Sequence, residues 1–217
     1  MPFTDKIDLV DAYIGESFKI EINSDLRWAT LAWLQAQWWD DIAYRFNSYI
    51  LDSTGLRSST STNDVAFLYK NIPTLNSNNK ISIKVTWYLN TYSNNWCSMG
   101  TFMTNTLSFP SAFWATLMNR RTCWGSPTLD SGIVYNETVK SSASSAWYAA
   151  WNVTLEATIN LSTWLVSYNL TSPTSFTTTY TLSSAELNNV LTYKYVWAYA
   201  QKYNADGTLY TVELTVE

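Results

Sequence analysis

Residues 147–161 read WYAAWNVTLEATINL, and the fold class turns on that stretch. Trp147, Ala149, Trp151, Val153, Leu155, Ala157, Ile159 and Leu161 fall on one side of an extended chain, and Asn152, Thr154, Glu156, Thr158 and Asn160 fall on the other. Period two marks a half-buried strand, because successive side chains point to opposite faces of a sheet. The run is long for one strand, so a bend or bulge is expected within it.

The same period recurs on both sides. Ile81, Ile83, Val85, Trp87 and Leu89 alternate with Ser82, Lys84, Thr86 and Tyr88. Trp164, Val166, Tyr168 and Leu170 form another alternating set, residues 175–182 are Thr-rich and extended, and Tyr193, Tyr195, Trp197 and Tyr199 share one face. Asn204-Ala205-Asp206-Gly207 supplies turn chemistry before a closing strand with Tyr210, Val212, Leu214 and Val216 on one side. Earlier in the chain, Phe18, Ile20 and Ile22 read as a strand, residues 42–51 alternate through Ile42, Tyr44, Phe46 and Ile50, and 65–69 and 96–104 are further candidates. Segment 26–38 fits helical spacing through Trp28, Leu31, Ala32, Gln35 and Trp38, but in an all-β setting it is read as a strand. Short helices are predicted at 111–118 and at 183–190, where Ser183 and Glu186 make a capping box. Stretches 52–63, 74–80 and 140–145, rich in Ser, Thr and Asn, read as loops. The expectation is one all-β domain over 1–217: a two-sheet antiparallel jelly-roll sandwich with one or two short helices.

Residues 192–217, TYKYVWAYAQKYNADGTLYTVELTVE, resemble the last strands of concanavalin A-like lectin and glucanase sandwiches, a likeness that extends back to about residue 136. It implies a carbohydrate-binding module or a glycoside hydrolase. Hydrolysis needs two carboxylates on one face; Glu156 and Glu213 are the candidates, yet the E-x-D-x-x-E run of the glucanases is absent. Asp40-Asp41 adjoins Trp38-Trp39, but strand neighbours point to opposite faces. For sugar stacking, Tyr88, Trp96 and Tyr148 are the aromatics that fall outside the apolar faces. Legume-type lectins hold calcium through an Asp/Asn loop; Asn204, Asp206 and Gly207 are better explained as a hairpin turn.

Composition excludes several classes. There is no histidine, so a Ser-His-Asp or Cys-His centre cannot be built. Two cysteines without histidine do not make a zinc site; a Cys97–Cys123 disulfide and two free thiols both fit. No phosphate-loop glycine spacing occurs, so no cofactor is expected and the chain is read as non-enzymatic. The net charge is −4 and the only adjacent basic pair is Arg120-Arg121, which argues against nucleic acid. MPFTDKIDLVDAYIG lacks the apolar core of a signal peptide, so the chain is expected to be made in the cytosol or to have lost its leader, and no 18-residue apolar run occurs, so no membrane-spanning helix is expected. Sequons stand at Asn136, Asn152, Asn160 and Asn169, but 19 Asn among 53 Ser and Thr supply about that number by chance.

Ser, Thr and Asn make up a third of the chain while charged residues are 14%, and Trp, Tyr and Phe number 12, 15 and 8. That composition is similar to structural proteins of viruses infecting acidophilic archaea. It implies a capsid or capsid-associated subunit located in the virion, with copies of itself or other virion proteins as partners. The alternative is an extracellular or cell-surface carbohydrate binder with glycans as partners.

Overall fold

The computed structural model describes residues 19–44, 48–59, 64–90, 97–107, 117–124, 128–136, 138–145, 151–172, 175–202 and 206–217. In chain order these form β1 (Ile20–Asp25), α1 (Leu31–Ala36), β2 (Asp41–Tyr44), β3 (Tyr49–Asp52), β4 (Gly55–Ser58), β5 (Asp64–Asn71), β6 (Lys80–Asn90), β7 (Cys97–Thr104), β8 (Leu117–Trp124), β9 (Thr128–Tyr135), β10 (Thr138–Ser145), β11 (Trp151–Asn160), β12 (Leu165–Ser172), β13 (Phe176–Thr181), α2 (Ser184–Val190), β14 (Tyr195–Lys202) and β15 (Asp206–Val216). Two antiparallel sheets result. The eight-stranded sheet runs β13-β12-β11-β6-β15-β4-β3, with β1 also on β15; the seven-stranded sheet runs β10-β9-β8-β7-β14-β5-β2.

The faces that meet are built from the alternating residues. Ile81, Ile83, Val85 and Trp87 of β6, with Val153, Leu155, Ala157 and Ile159 of β11, pack in one core with Ala66, Leu68, Val196, Ala198 and Ile133 of the other sheet. Trp87 spans the gap, its Nε1–H donating to the carbonyl of Tyr199 at 3.0 Å. A second cluster lies on the far face of the seven-stranded sheet: Val65, Phe67, Val134, Trp197 and Tyr199 are buried there, with Tyr69 and Tyr195 packed against them. The aromatic side of β14 is therefore not its inter-sheet side. That position belongs to the small residues Val196 and Ala198, and the aromatics build a separate layer.

Local expectations are corrected at several points. Segment 26–38 holds a helix, not a strand. Residues 42–44 and 49–51 lie in strands of different sheets, because β2 pairs with β5 and β3 with β4, and Phe46 lies outside the described residues. Residues 55–58 and 140–145, read as loops, are strand. Trp164 stands in the β11–β12 turn with φ 60, outside the alternation. Tyr210 leaves the buried face of Val212, Leu214 and Val216: the β15–β6 register shifts between Leu209 and Thr211, so Leu209 points inward in its place. The bulge expected within 147–161 falls between Thr154 and Leu155, against β12. The capping box at Ser183 and Glu186 forms. Of the helix expected at 111–118, residues 111–116 lie outside the described residues and 117–118 open β8.

Candidate functional site

The short unit that carries α1 joins β1 of one sheet to β2 of the other. Its inner side is ordinary core: Leu26, Ala29, Leu34 and Trp39 are all buried, and the Trp39 Nε1–H donates to Ser24 Oγ at 3.0 Å. Thr30 caps the helix, its Oγ1 accepting from the Trp33 N–H at 3.1 Å. Ala29 and Leu34, just before the cap and in the first turn, are both in the main core, which fixes how the chain enters. The buried side of α1 is thus Leu34, not the stripe that helical spacing suggested.

The outer side is tryptophan. Trp28, Trp33 and Trp38 are 81%, 41% and 58% exposed. Two of the three sit where glycine is the expected residue. The Ala29 N–H reaches the Leu26 carbonyl at 3.3 Å, closing a turn whose third residue, Trp28, has φ 65; a positive φ there is the type II pattern that favours Gly. At the other end, the Trp38 N–H bonds to the Gln35 carbonyl and the Trp39 N–H to the Leu34 carbonyl, each at 3.1 Å. This is a Schellman ending, and Trp38, with φ 73, holds the left-handed position that is usually Gly. A left-handed backbone costs an L-residue roughly 1–2 kcal/mol. Trp28, the more exposed of the two, buries little to offset that cost.

Polar groups flank the unit on both sides. Toward the eight-stranded sheet, the Arg27 fork grips Asp25 at 2.9 and 2.5 Å, and its hydrogen bonds hold the Asp25 carboxyl below the usual carboxylate range. The same guanidinium lies 5.4 Å from the centre of the Tyr210 ring, which stacks on Tyr88 at 6.0 Å. The Trp28 N–H is held by the Asp52 carbonyl at 3.0 Å. Toward the seven-stranded sheet, Asp40 takes Lys70 Nζ at 3.3 Å and the Asn71 N–H, while Gln35 Nε2 donates to its carbonyl at 3.3 Å. Asp41 opposes Tyr69 across the β2–β5 ladder, and the Tyr69 ring lies 4.7 Å from Trp197. Burial, then the charges of Asp41 and Asp40, push the Tyr69 hydroxyl pKa up. The surface combines indole faces, carboxylates and amides, and Arg27 and Lys70 are each engaged by a carboxylate.

Of the sequence candidates for sugar stacking, Tyr88 reaches this neighbourhood through Tyr210 and Arg27; Trp96 and Tyr148 lie outside the described residues. Glu156 and Glu213 sit on the outer face of the eight-stranded sheet with Lys84 in register between them. Lys84 Nζ donates to Glu213 at 2.9 Å, and Glu156 accepts from Ser82 Oγ at 3.3 Å. Among the sequons, Asn136 and Asn152 are exposed, Asn160 Oδ1 accepts from the N–H of Ser162 and Thr163, and Asn169 Oδ1 accepts from Thr177 Oγ1. Among the described residues no three His, Cys, Asp or Glu side chains converge; Asn204 lies outside them, and Asp206 opens β15 opposite Asn90. No helix among the described residues is long and apolar enough to cross a membrane.

Trp28, Trp33 and Trp38 were not among the sequence candidates. The available signal was the Trp38-Trp39 pair, of which only one ring can enter the core.

No protein-family model matches the chain, and no curated protein matches it. Solved structures do. Peanut lectin, solved with a 9mer peptide, superposes with a TM-score of 0.69 at 11% identity over 93% of this chain and 98% of that one. The seed lectin of Lotus tetragonolobus gives 0.67 at 10% over 91% and 98%. The acidic lectin of winged bean, in complex with methyl-α-D-galactose, gives 0.65 at 11% over 92% and 99%. At such identities the likeness establishes the fold, an antiparallel sandwich of the concanavalin A-like lectin kind.

Proposed function

We propose that this chain is a non-catalytic carbohydrate-binding sandwich and that its glycan contact is the tryptophan surface of the α1 unit. One observation carries the reading: Trp28 and Trp38 are solvent-facing indoles held in left-handed backbone where glycine would relieve the strain. Strain of this kind is retained where a surface has a task. A pyranose ring offers an apolar C–H face for an indole and a rim of hydroxyls for carboxylates and amides, and Gln35 and Asp40, on either side of Trp38 in the chain, supply groups for that rim. With Arg27 and Lys70 engaged by Asp25 and Asp40, the preferred sugars are neutral rather than sulfated or phosphorylated. The lectin-like fold favours this reading over the virion role that composition suggests.

The test is an array of neutral oligosaccharides followed by calorimetry with the best ligand. Trp28→Ala and Trp38→Ala should each weaken binding at least about tenfold, as loss of a central aromatic contact does. Binding that survives both changes places the site elsewhere; no binding to any neutral glycan overturns the function.

A further inference from the structure

The register of β7 against β8 sets Cys97 directly opposite Cys123, and the chain has no other cysteine. Opposed residues of antiparallel strands have Cα atoms about 4.5 or 5.5 Å apart, according to whether the pair exchanges hydrogen bonds. A disulfide spans Cα separations of about 4.4–6.8 Å, so residues opposed in this way are within its reach. The pairing is continuous from Cys97↔Cys123 to Met103↔Leu117 with no shift, and β8 is paired on its other side from Leu117↔Tyr135 to Trp124↔Thr128. A slip of one residue would put the two cysteines on opposite faces, and two ladders guard against it.

We propose that Cys97 and Cys123 form a cross-strand disulfide that fastens β7 to β8 in the seven-stranded sheet. The two thiols give up two protons and two electrons as the S–S bond forms. A low-molecular-weight disulfide of the oxidised glutathione type accepts the electrons: one cysteine thiolate displaces a glutathione thiolate to give a mixed disulfide, and the second cysteine displaces the other. The bond closes a loop of 25 intervening residues, which restricts the unfolded chain. This inference is independent of glycan binding.

The experiment treats the full-length native protein with oxidised glutathione, denatures it without reductant, blocks free thiols with iodoacetamide and maps the peptides by mass spectrometry. The expected result is an intact mass lower by two hydrogens, no alkylated cysteine, and a linked peptide pair containing Cys97 and Cys123. Dithiothreitol should lower Tm by roughly 10 °C, and the double variant C97S/C123S should lose that sensitivity. Alkylation of both cysteines, a glutathione adduct on each, or a linkage between chains overturns the proposal. Should the double variant fail to fold, the wild-type peptide map decides alone.

Discussion

The interior and the rim of this sandwich use tryptophan in opposite ways. Trp39, Trp87 and Trp197 are buried, and each indole N–H has a partner at 2.9–3.0 Å: Ser24 Oγ, the Tyr199 carbonyl and Thr104 Oγ1. Trp28, Trp38 and Trp164 are at least 40% exposed, and each has a positive φ. In the interior, burial and a satisfied donor make the residue stabilising. On the rim the same side chain sits on left-handed backbone and leaves 40–81% of its surface in water. A single residue type thus separates what holds the fold from what the fold displays.

The largest expected effect comes from breaking the interior set. Trp87→Ala removes a fully buried indole between the sheets and its bond to Tyr199, and should cost about 3–5 kcal/mol in urea unfolding. A cost below about 1 kcal/mol, the range of ordinary surface changes, would mean that the two sheets do not depend on this contact.

A second effect is electrostatic and concerns the edge opposite in character to the tryptophan rim. Glu186 is buried in the α2 capping box. Burial alone raises its pKa, but the Ser183 N–H, the Tyr180 hydroxyl and Lys140 together hold it at about 2. A carboxylate depressed in the folded state stabilises above its unfolded pKa and loses that contribution as pH falls through the folded value. From an ordinary 4.5 down to about 2, the contribution amounts to about 3 kcal/mol. Glu186→Gln should therefore unfold more easily at pH 7 and match the wild type by about pH 2. Parallel pH profiles for the two proteins would show that the charge does not stabilise the fold.

The third test joins the two sets. Trp38→Gly relieves the left-handed backbone of the Schellman ending and should raise stability by about 1 kcal/mol. It should also weaken glycan binding at least about tenfold, as Trp38→Ala does. A stabilised protein that still binds would strip Trp38 of its assigned role, and a destabilised one would show that the indole contributes to folding after all.

How much of this was legible follows from where the information sits. The strands with one apolar face, such as 81–89 and 151–160, announced themselves, because core contact imposes period two on the sequence. The capping box at Ser183 was equally local. β10, with TVKSSASS, carries no apolar period; its strand exists because β9 offers a ladder, which only the tertiary structure reveals. The layer to which β14 contributes its aromatics was hidden for a related reason: Tyr195, Trp197 and Tyr199 look like core, and they are, but of a second layer that sequence period cannot distinguish from the first. The strained rim was invisible because Trp in a glycine position contradicts local preference, and such contradictions concentrate at sites of function.

The smallest expected effect supplies the control surface. Glu156 and Glu213 were the only carboxylates whose placement suggested hydrolysis. Lys84 stands in register between them, and its ion pair with Glu213 joins two side chains that are each more than 40% exposed. Exposed pairs of this kind contribute about 0–1 kcal/mol. Glu156 makes one long hydroxyl contact and no ion pair among those described. Glu156→Gln should then change stability by less than about 0.5 kcal/mol. It should also leave glycan affinity where it was, since its strand face is neither the α1 unit nor the inter-sheet core. The measurement is calorimetric binding beside a reducing-sugar assay on the same oligosaccharide. Hydrolysis by the wild type that disappears in Glu156→Gln would turn this face into a catalytic one and make the protein a glycosidase. An unchanged affinity with no sugar released by either protein leaves the tryptophan rim as the working surface.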